Sequence, residues 1–268
     1  QDLDLSSLRM ICTGGEPWTE KPWKWLFQVI GKSKVPIMNS AGGTEVSGSI
    51  LHCCLHRPFK VGSFNAPIPG MSADILNLDG KKVSTNEMGE LVMRKSSIGL
   101  TKSLWNDDKR YIDNYWSVIK DYWVHGDLAS RDADGHWYLH GRSDDTIKVS
   151  GKRIGPSELE SVIVKSGKAK EVAAVGIPDA NKGSKIILSI VPAENNDQKE
   201  SFFEDLVIKD LGKSFKPDKV IFVKDLPKTR NMKIMRRVIK SCLANQDPGD
   251  LSTLLNPESV EEIRSHAI

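Results

Sequence analysis

The sequence predicts a multidomain protein of mixed class, with an α/β part followed by a small α+β domain. Three observations support this class. The composition is that of a globular protein, with 39% hydrophobic and 27% charged residues over 268 positions. Between about residue 60 and residue 140, short apolar runs alternate with turn signals, which indicates antiparallel strands. From Pro156 onward, helical and strand patterns interleave, as in α+β domains.

Charge and hydropathy exclude several classes of partner. The 38 Lys and Arg residues against 35 Asp and Glu give a net charge of +3, which is too small and too dispersed to predict nucleic-acid binding. Uninterrupted apolar runs such as 172–175 are only about four residues long, whereas a membrane span needs ~18–20. No charged segment followed by an apolar stretch opens the chain, and none of the 4 cysteines forms a C-x-x-C pair. We therefore expect a cytoplasmic protein with no membrane partner.

The first 60 residues predict one helix, one strand and one loop. Apolar residues recur at helical spacing between Thr19 and Gly31, at Trp23, Leu26, Phe27 and Ile30. A short strand over 35–38 leads into a loop of small residues, Asn39-Ser40-Ala41-Gly42-Gly43-Thr44-Glu45. The polar loop is thus expected at the end of an apolar strand.

The middle third predicts a β-region. Strands are expected over 73–78, 90–94, 123–130 and 136–140, with turn pairs at Asp79-Gly80 and Asp134-Gly135. We interpret this region as a small antiparallel β-barrel.

The last third predicts a separate domain. A helix begins at Pro156 and ends at Gly167, and further helices run through 202–211 and 234–242. Strands are expected over 172–177, 186–191 and 220–223. Because the pattern changes across 141–146, we place the domain boundary between residues 143 and 144, giving domains 1–143 and 144–268.

Four segments combine backbone donors, carboxylates or cations. They are Thr13-Gly14-Gly15-Glu16-Pro17, Gly42-Gly43-Thr44-Glu45, the pair Tyr122–Asp127 and Gly141–Asp145, and the basic stretch Leu226–Arg237. Adjacent glycines let the backbone approach a flat or phosphorylated ligand, and a hydroxyl with a carboxylate suits phosphate and Mg²⁺. Taken singly, however, a turn, a helix cap or a solvated surface explains each segment better.

In this order and spacing, the segments resemble the adenylate-forming acyl-CoA synthetases, most closely the acetyl-/propionyl-CoA synthetase branch. The most specific segments are Trp123-Val124-His125-Gly126-Asp127, Gly141-Arg142-Ser143-Asp144-Asp145-Thr146-Ile147-Lys148-Val149-Ser150-Gly151-Lys152-Arg153-Ile154, and Pro227-Lys228-Thr229-Arg230 with Lys233. The resemblance covers nearly the whole chain. It implies the rear part of a large adenylating domain over 1–143 and a complete small mobile C-terminal domain over 144–268.

The resemblance implies substrates and roles for the first domain. Such enzymes convert a carboxylic acid and MgATP into an acyl-adenylate and pyrophosphate, and then form a thioester with coenzyme A. The implied nucleotide-binding residues are Gly15, Glu16 and Pro17 at the adenine, and Asn39, Ser40, Ala41, Gly42 and Gly43 beside it. Thr44 is implied to contact the α-phosphate, and Glu45 is implied to hold Mg²⁺. Asp127 and Arg142 are implied to hold the ribose.

Further roles follow for the second domain. Arg153 is implied to reach the phosphates, and Lys233 to bridge the carboxylate and the α-phosphate as a catalytic cation. Asp144 is implied to be the hinge about which the small domain rotates between the two half-reactions. The hairpin Ser150-Gly151-Lys152 is implied to line the pantetheine tunnel after that rotation.

One departure from the family bears on the acyl group. Acetate-specific members carry tryptophan two positions before the threonine of the Thr-Glu pair, and Gly42 stands there. The resemblance therefore implies an acyl group larger than acetate.

Two departures lie in the second domain. Met232 replaces the glycine that usually precedes the catalytic lysine, which lowers loop flexibility. Ile208 stands where an arginine of the family meets the nucleotide of coenzyme A; Lys209 is a candidate replacement, and the source of this phosphate contact stays open.

The family's Ser/Thr/Gly-rich phosphate loop has no counterpart in these residues. We therefore expect the chain to need the upstream half of the large domain and to be incompetent alone; the resemblance leaves the oligomeric state open. Two alternatives stay open: a carrier-protein-loading adenylation domain, and a non-catalytic nucleotide- or coenzyme-A-binding module or half of a split enzyme.

Overall fold

The computed structural model describes residues 3–194 and 197–268, which divide into two compact units, Gln1–Ser143 and Asp144–Ile268. The strands of the first unit are β1 (Ile11–Gly14), β2 (Ile37–Gly43), β3 (Gly48–His52), β4 (Ala66–Pro67), β5 (Ala73–Leu76), β6 (Gly89–Met93), β7 (Trp123–Arg131) and β8 (Trp137–Arg142). Its helices are α1 (Glu20–Trp25), continued by a π-helical segment (Leu26–Ile30), and α2 (Asp108–Tyr111), continued by a second (Ile112–Trp116). A 3₁₀ turn covers Thr44–Val46.

Two sheets build the described part of the first unit. One has the order β1-β2-β3-β4, with β1 and β2 parallel and the other pairs antiparallel. The other has the order β5-β6-β7-β8 and is antiparallel throughout. The mixed α/β class and the antiparallel region are thus confirmed. No strand pairing closes the second sheet among the described residues, so a barrel is not shown.

The predicted helix after Thr19 is confirmed, whereas the predicted loop over 39–43 is wrong. These residues continue β2, which runs to Gly43. Small residues permit this because β2 lies between two close strands: an added Cβ at Gly14 of β1 would lie 2.8 Å from the Ser40 carbonyl oxygen. An added Cβ at Gly42 would lie only 2.1 Å from the Gly48 carbonyl oxygen on β3.

The second unit combines a two-stranded ribbon, a three-stranded sheet and helices. Its strands are β9 (Ile147–Val149), β10 (Lys152–Ile154), β11 (Ala169–Asp179), β12 (Gly183–Pro192) and β13 (Lys219–Phe222). Its helices are α3 (Pro156–Lys165), α4 (Glu200–Leu211), α5 (Arg236–Leu243) and α6 (Glu258–Arg264), with a 3₁₀ turn at Lys213–Phe215. The sheet order is β11-β12-β13, with β12 antiparallel to β11 and parallel to β13.

Both faces of this sheet are buried. On β12, Ile186, Leu188 and Ile190 join a core that includes residues of α3 and α4. Ile187 and Val191 join a second core that includes residues of α5 and α6. Because successive strand residues point to opposite faces, burial on both sides explains the apolar run of β12 from Ile186 to Val191, which only Ser189 interrupts.

The predicted elements of this unit all form, and α6 was not predicted. The last predicted helix begins two residues later than expected, at Arg236 rather than Ile234. The delay arises because Ile234 forms an isolated β-bridge with Lys228 instead of helical bonds.

Candidate functional site

The ends of β1 and β2 bring the first two predicted segments side by side. Thr13 pairs with Asn39 and Gly14 with Ser40 in parallel register. The Ser40 hydroxyl donates to the Thr13 carbonyl oxygen at 3.1 Å, and the Thr13 hydroxyl donates to Asn39 Oδ1 at 3.3 Å. The Asn39 side chain is buried, and its Nδ2 has no hydrogen-bond partner in the described part of the chain. This amide is therefore a buried donor that the described residues leave unsatisfied.

The segment that follows Asn39 turns sharply after β2. Thr44 is exposed and Glu45 is half-buried in the 3₁₀ turn. An added Cβ at Gly43 would lie 3.0 Å from His125 Cε1 and 3.3 Å from Glu45 Oε2. Both side chains thus converge on a point that only glycine leaves open.

Asp127 and Arg142 are cross-strand partners on β7 and β8. Arg142 Nη1 lies 3.7 Å from Asp127 Oδ1 and donates to the His125 carbonyl oxygen at 3.1 Å. Gly126 has φ +83°, and an added Cβ there would lie 2.8 Å from Arg142 Nη2. The guanidinium therefore packs against the Gly126 backbone, at the end of the sheet that also presents Asp127.

His125 is a site residue to which sequence reasoning assigned no role. Its ring is buried, its Nε2 lies 3.4 Å from Asp127 Oδ2, and its Nδ1 has no partner among the described residues. Burial lowers the pKa of His125, an effect that the charge of Asp127 opposes and that of Arg142 reinforces. The sequence feature that could have identified His125 is its position directly before Gly126-Asp127.

An aromatic stack supports this histidine. The Tyr115 and Trp123 rings lie parallel with centroids 5.2 Å apart, and the Trp123 and His125 rings lie 5.5 Å apart. Burial is the main cause that raises the pKa of Tyr115, followed by the charge of Glu45 and a hydrogen bond to it. Tyr115 thus connects Glu45 with the stack.

In the second unit, β9 and β10 form a hairpin around Ser150 and Gly151. These two residues have φ +49° and φ +81°, as a two-residue hairpin turn requires. The Ser150 amide donates to the Lys182 carbonyl oxygen at 2.8 Å, and Lys152 Nζ donates to Ser214 Oγ at 3.1 Å. No atom lies within 4 Å of an added Cβ at Gly151. The reason that glycine is favoured here is therefore the left-handed backbone and not local crowding.

Lys233 lies in a tight loop before α5. The Thr229 amide donates to the Lys233 carbonyl oxygen at 2.9 Å, and the Lys233 amide donates to Thr229 Oγ1 at 3.2 Å. Its exposed ammonium makes no ion pair within the described residues. Met232 is 59% exposed and has φ +63°, a left-handed conformation that favours glycine.

The remaining predicted site residues lie after β1, on β10, at the start of the second unit and on α4. Gly15, Glu16 and Pro17 are exposed just after β1, and Gly15 has φ +103°. Arg153 is exposed on β10, Asp144 is the first residue of the second unit, and Ile208 and Lys209 lie on α4. Their roles stay predictions.

Neither a dedicated metal cage nor a membrane span is present in the described residues. No group of three or more His, Cys, Asp or Glu side chains is arranged to hold a metal ion there. Mg²⁺ that accompanies a nucleotide takes only one or two carboxylates together with phosphate oxygens. The half-buried Glu45 beside the exposed Thr44 fits such an ion. Within residues 3–194 and 197–268, no helix is both long and apolar enough to cross a membrane.

Family comparisons match both units. The family described as "AMP-binding enzyme" matches residues 1–105, and the "AMP-binding enzyme C-terminal domain" matches residues 158–233. The acetyl-coenzyme A synthetase of Methanothrix soehngenii is 37% identical over 270 residues, covering 97% of this chain and 40% of that protein. The acetyl-coenzyme A synthetase of Pasteurella multocida is 36% identical over 272 residues, covering 97% and 42%. The chain therefore spans about two fifths of these relatives, 40% and 42% of their lengths.

Solved structures show the same fold. The acetoacetyl-CoA synthetase from Streptomyces lividans has a TM-score of 0.85 at 23% identity, covering 98% of this chain and 41% of that one. An anthranilate CoA ligase in complex with anthranoyl-AMP has a TM-score of 0.72 at 27% identity, covering 87% and 44%.

Proposed function

Because this chain belongs to the AMP-binding enzyme family, we propose that it forms part of an ATP-dependent, AMP-forming acyl-CoA synthetase. The observation that carries this proposal is the convergence of Glu45 and His125 on Gly43, with Asp127 and Arg142 paired on the adjoining strands. This arrangement offers carboxylates for a ribose and a cation, and a backbone turn open to phosphate. The match to the C-terminal family over 158–233 adds support, since that segment includes Lys233.

In the first half-reaction, a carboxylate oxygen of the acid attacks the α-phosphorus of ATP. A new phosphorus–oxygen bond forms while the bond from the α-phosphorus to the bridging oxygen breaks, so pyrophosphate leaves with the electron pair. Two anionic groups must meet, and the exposed ammonium of Lys233 would offset their repulsion most in the transition state. Asn39 would lie beside the nucleotide, Thr44 would contact the α-phosphate, and Asp127 with Arg142 would hold the ribose. Glu45 would hold Mg²⁺, which screens phosphate charge.

In the second half-reaction, the thiol of coenzyme A gives its proton to solvent and its sulfur attacks the acyl carbon. The carbon–oxygen bond to AMP then breaks, which releases AMP and the thioester. We assign the hairpin Ser150-Gly151-Lys152 to the pantetheine arm, Arg153 to phosphate contact and Asp144 to the hinge between the two reactions. Gly151 suits this role because space around its missing side chain is open.

We further assign an acyl group larger than acetate. Gly42 supports this assignment because it places no side chain beside Thr44. Strand β3 limits the extra space for the acyl group, because the Gly48 carbonyl oxygen occupies the position that a side chain at residue 42 would take. The substrate profile tests the assignment: we expect acids of four or more carbons to give higher kcat/KM than acetate. Acetate as the best substrate would contradict it.

Pyrophosphate exchange tests the proposed reaction. Carboxylate-dependent exchange of labelled pyrophosphate into ATP is measured with the 268-residue chain alone and with the upstream half of a relative's large domain added. We expect exchange only in the presence of that upstream polypeptide, which supplies the phosphate loop. Exchange by the chain alone would disprove its dependence on upstream residues. No exchange in either sample, with AMP still bound, would favour a non-catalytic nucleotide-binding module.

A further inference from the structure

Lys228 differs sharply from the other lysine of its segment. Although it lies five positions before the exposed Lys233, its side chain is buried, with 6% of the residue exposed. Its Nζ lies 2.6 Å from Glu171 Oε2 on β11 and 2.6 Å from Asp225 Oδ1. Burial lowers the pKa of Lys228, but the hydrogen bonds to Asp225 and Glu171 outweigh it and raise the pKa overall. Lys228 is therefore a charged, buried anchor rather than a contact for a ligand.

The same residue is bound from the other side by a short stretch near the C-terminus, residues 253–256, here called the clasp. The Lys228 amide donates to Asn256 Oδ1 at 3.0 Å, and the Leu255 amide donates to the Lys228 carbonyl oxygen at 2.8 Å. Asn256 Nδ2 donates at 2.8 Å to Asp225 Oδ2 and at 2.8 Å to the Leu226 carbonyl oxygen. One network thus joins β11, the turn at 225–226 and the clasp.

The clasp also holds the loop that carries Lys233. Thr229 forms an isolated bridge with Leu254, and the Arg230 amide donates to the Thr253 carbonyl oxygen at 3.2 Å. Across the loop, Lys228 bridges Ile234. Both ends of the loop are therefore tied through Lys228, while the Lys233 side chain itself has no ion pair among the described residues.

From these contacts we infer that Lys228 and the clasp are positioning elements for the Lys233 ammonium, and that they act in adenylate formation alone. Lys233 makes no side-chain ion pair in the described residues, so its position depends on its backbone. A displacement of about 1 Å in a reacting group can cost about 100-fold in rate. The inference rests on the proposed function, in which Lys233 acts only in the first half-reaction.

The test compares the two half-reactions in Lys228→Met, with the upstream polypeptide supplied. Methionine keeps the length of the side chain and removes its charge. We expect adenylate formation to fall by about 100-fold, whereas thioester formation from supplied acyl-adenylate stays within about threefold. Lys224→Met is the matched control, since it removes an exposed lysine from the same segment, and both of its rates should stay at wild-type values. Equal loss of both rates in Lys228→Met, or no loss of adenylate formation, would overturn the inference.

Asn256→Ala covers the case in which Lys228→Met does not fold. It loosens the clasp without changing a charge, and we expect the same one-sided loss of adenylate formation. If it slows both half-reactions equally, or neither, the clasp does not position Lys233.

Amide hydrogen exchange separates this inference from the proposed reaction. In the 268-residue chain, we expect the Thr229 and Lys233 amides to exchange at least about tenfold faster in Lys228→Met than in Lys224→Met, while β12 amides exchange at equal rates. If wild type makes no adenylate but this difference appears, the proposed reaction fails and the anchoring of the loop stands. Equal exchange at Thr229 and Lys233 would overturn the anchoring whatever the activity.

Discussion

His125 Nε2 lies 3.4 Å from Asp127 Oδ2, so a buried imidazole faces a carboxylate that is expected to hold the ribose. The ring stays neutral near pH 7 because burial lowers its pKa. Glu45 and Arg142 are the other charged groups that act on it. A neutral ring at this point does not cancel the charge of Asp127.

This relationship predicts a pH dependence of stability in the first unit. The folded pKa of His125 is below its unfolded value of about 6.5, so the unfolded chain binds more protons in the window between the two values. The free energy of unfolding should therefore fall as pH drops below about 6.5 and should not change through this group above it. His125→Asn should lose less stability than wild type on acidification.

Urea unfolding followed by tryptophan fluorescence measures this, because all 7 tryptophans precede residue 144 and report the first unit. His52→Asn, at a half-buried histidine of the same unit, is the control and should follow the wild-type profile. Parallel pH profiles for His125→Asn and wild type would contradict the prediction.

Gly42 should not tolerate even one methyl group. An added Cβ lies 2.1 Å from the Gly48 carbonyl oxygen and 2.5 Å from Ser49 Cα, and both are backbone atoms that cannot rotate away. We expect Gly42→Ala to lower the free energy of unfolding of the first unit by at least about 2 kcal/mol. Gly48→Ala is the matched control, because nothing lies within 4 Å of its added Cβ. Similar fluorescence-detected unfolding of both variants would show that β3 moves to make room.

Met232→Gly should stabilise the second unit. A non-glycine residue at φ +63° is strained, and Met232 is 59% exposed, so its side chain contributes little burial. We expect the free energy of unfolding to rise by about 0.5–1 kcal/mol, since the relief exceeds the added freedom of the unfolded chain. Far-ultraviolet circular dichroism reports both units, whereas tryptophan fluorescence reports the first unit only. The transition seen by circular dichroism but not by fluorescence therefore belongs to the second unit. Asn231→Gly is the control, since Asn231 has no positive φ, and it should not raise the free energy of unfolding. An equal increase in the free energy of unfolding for both variants would refute the strain argument.

Lys233→Gln should remove activity without affecting stability. The exposed ammonium contributes to no ion pair in the part of the chain that the structure describes, so unfolding should be unchanged within about 0.5 kcal/mol. Pyrophosphate exchange should fall by at least about 100-fold, as for other lost transition-state contacts. Lys240→Gln, at an exposed lysine of α5, should leave exchange near wild type. Retained exchange in Lys233→Gln would exclude a catalytic role for this lysine.

Much of the fold follows from local patterns. Helix α1 is predictable because Trp23 and Phe27 lie one turn apart and their rings stack 5.4 Å from each other. Strand β12 is predictable because apolar residues run from Ile186 to Val191 with only Ser189 between them, and β7 because it precedes the turn pair Asp134-Gly135. The strand character of Gly42 and Gly43 is not, because it depends on the approach of β1 and β3 from other parts of the chain.

The site divides in the same way. Thr44, Glu45, Asp127 and Lys233 are recognisable because they stand in motifs of fixed spacing. The parts played by His125 and Lys228 depend on burial and on partners far along the chain, such as Glu171 and Asn256. A motif containing two lysines gives no sign that one is buried and paired and the other exposed.

The buried sheet of the second unit has a consequence for how this unit unfolds. Neighbouring residues of β12 belong to opposite cores, one packed against α3 and α4 and the other against α5 and α6. If either pair of helices separates from the sheet, it exposes apolar side chains of the same strand that the other pair still covers on its opposite face. We expect the second unit to unfold in one cooperative transition, with α3 and α5 losing structure together. With the proposed hinge at Asp144, a unit of this kind would keep Lys233 and the β9–β10 hairpin in an unchanged internal arrangement as it turned.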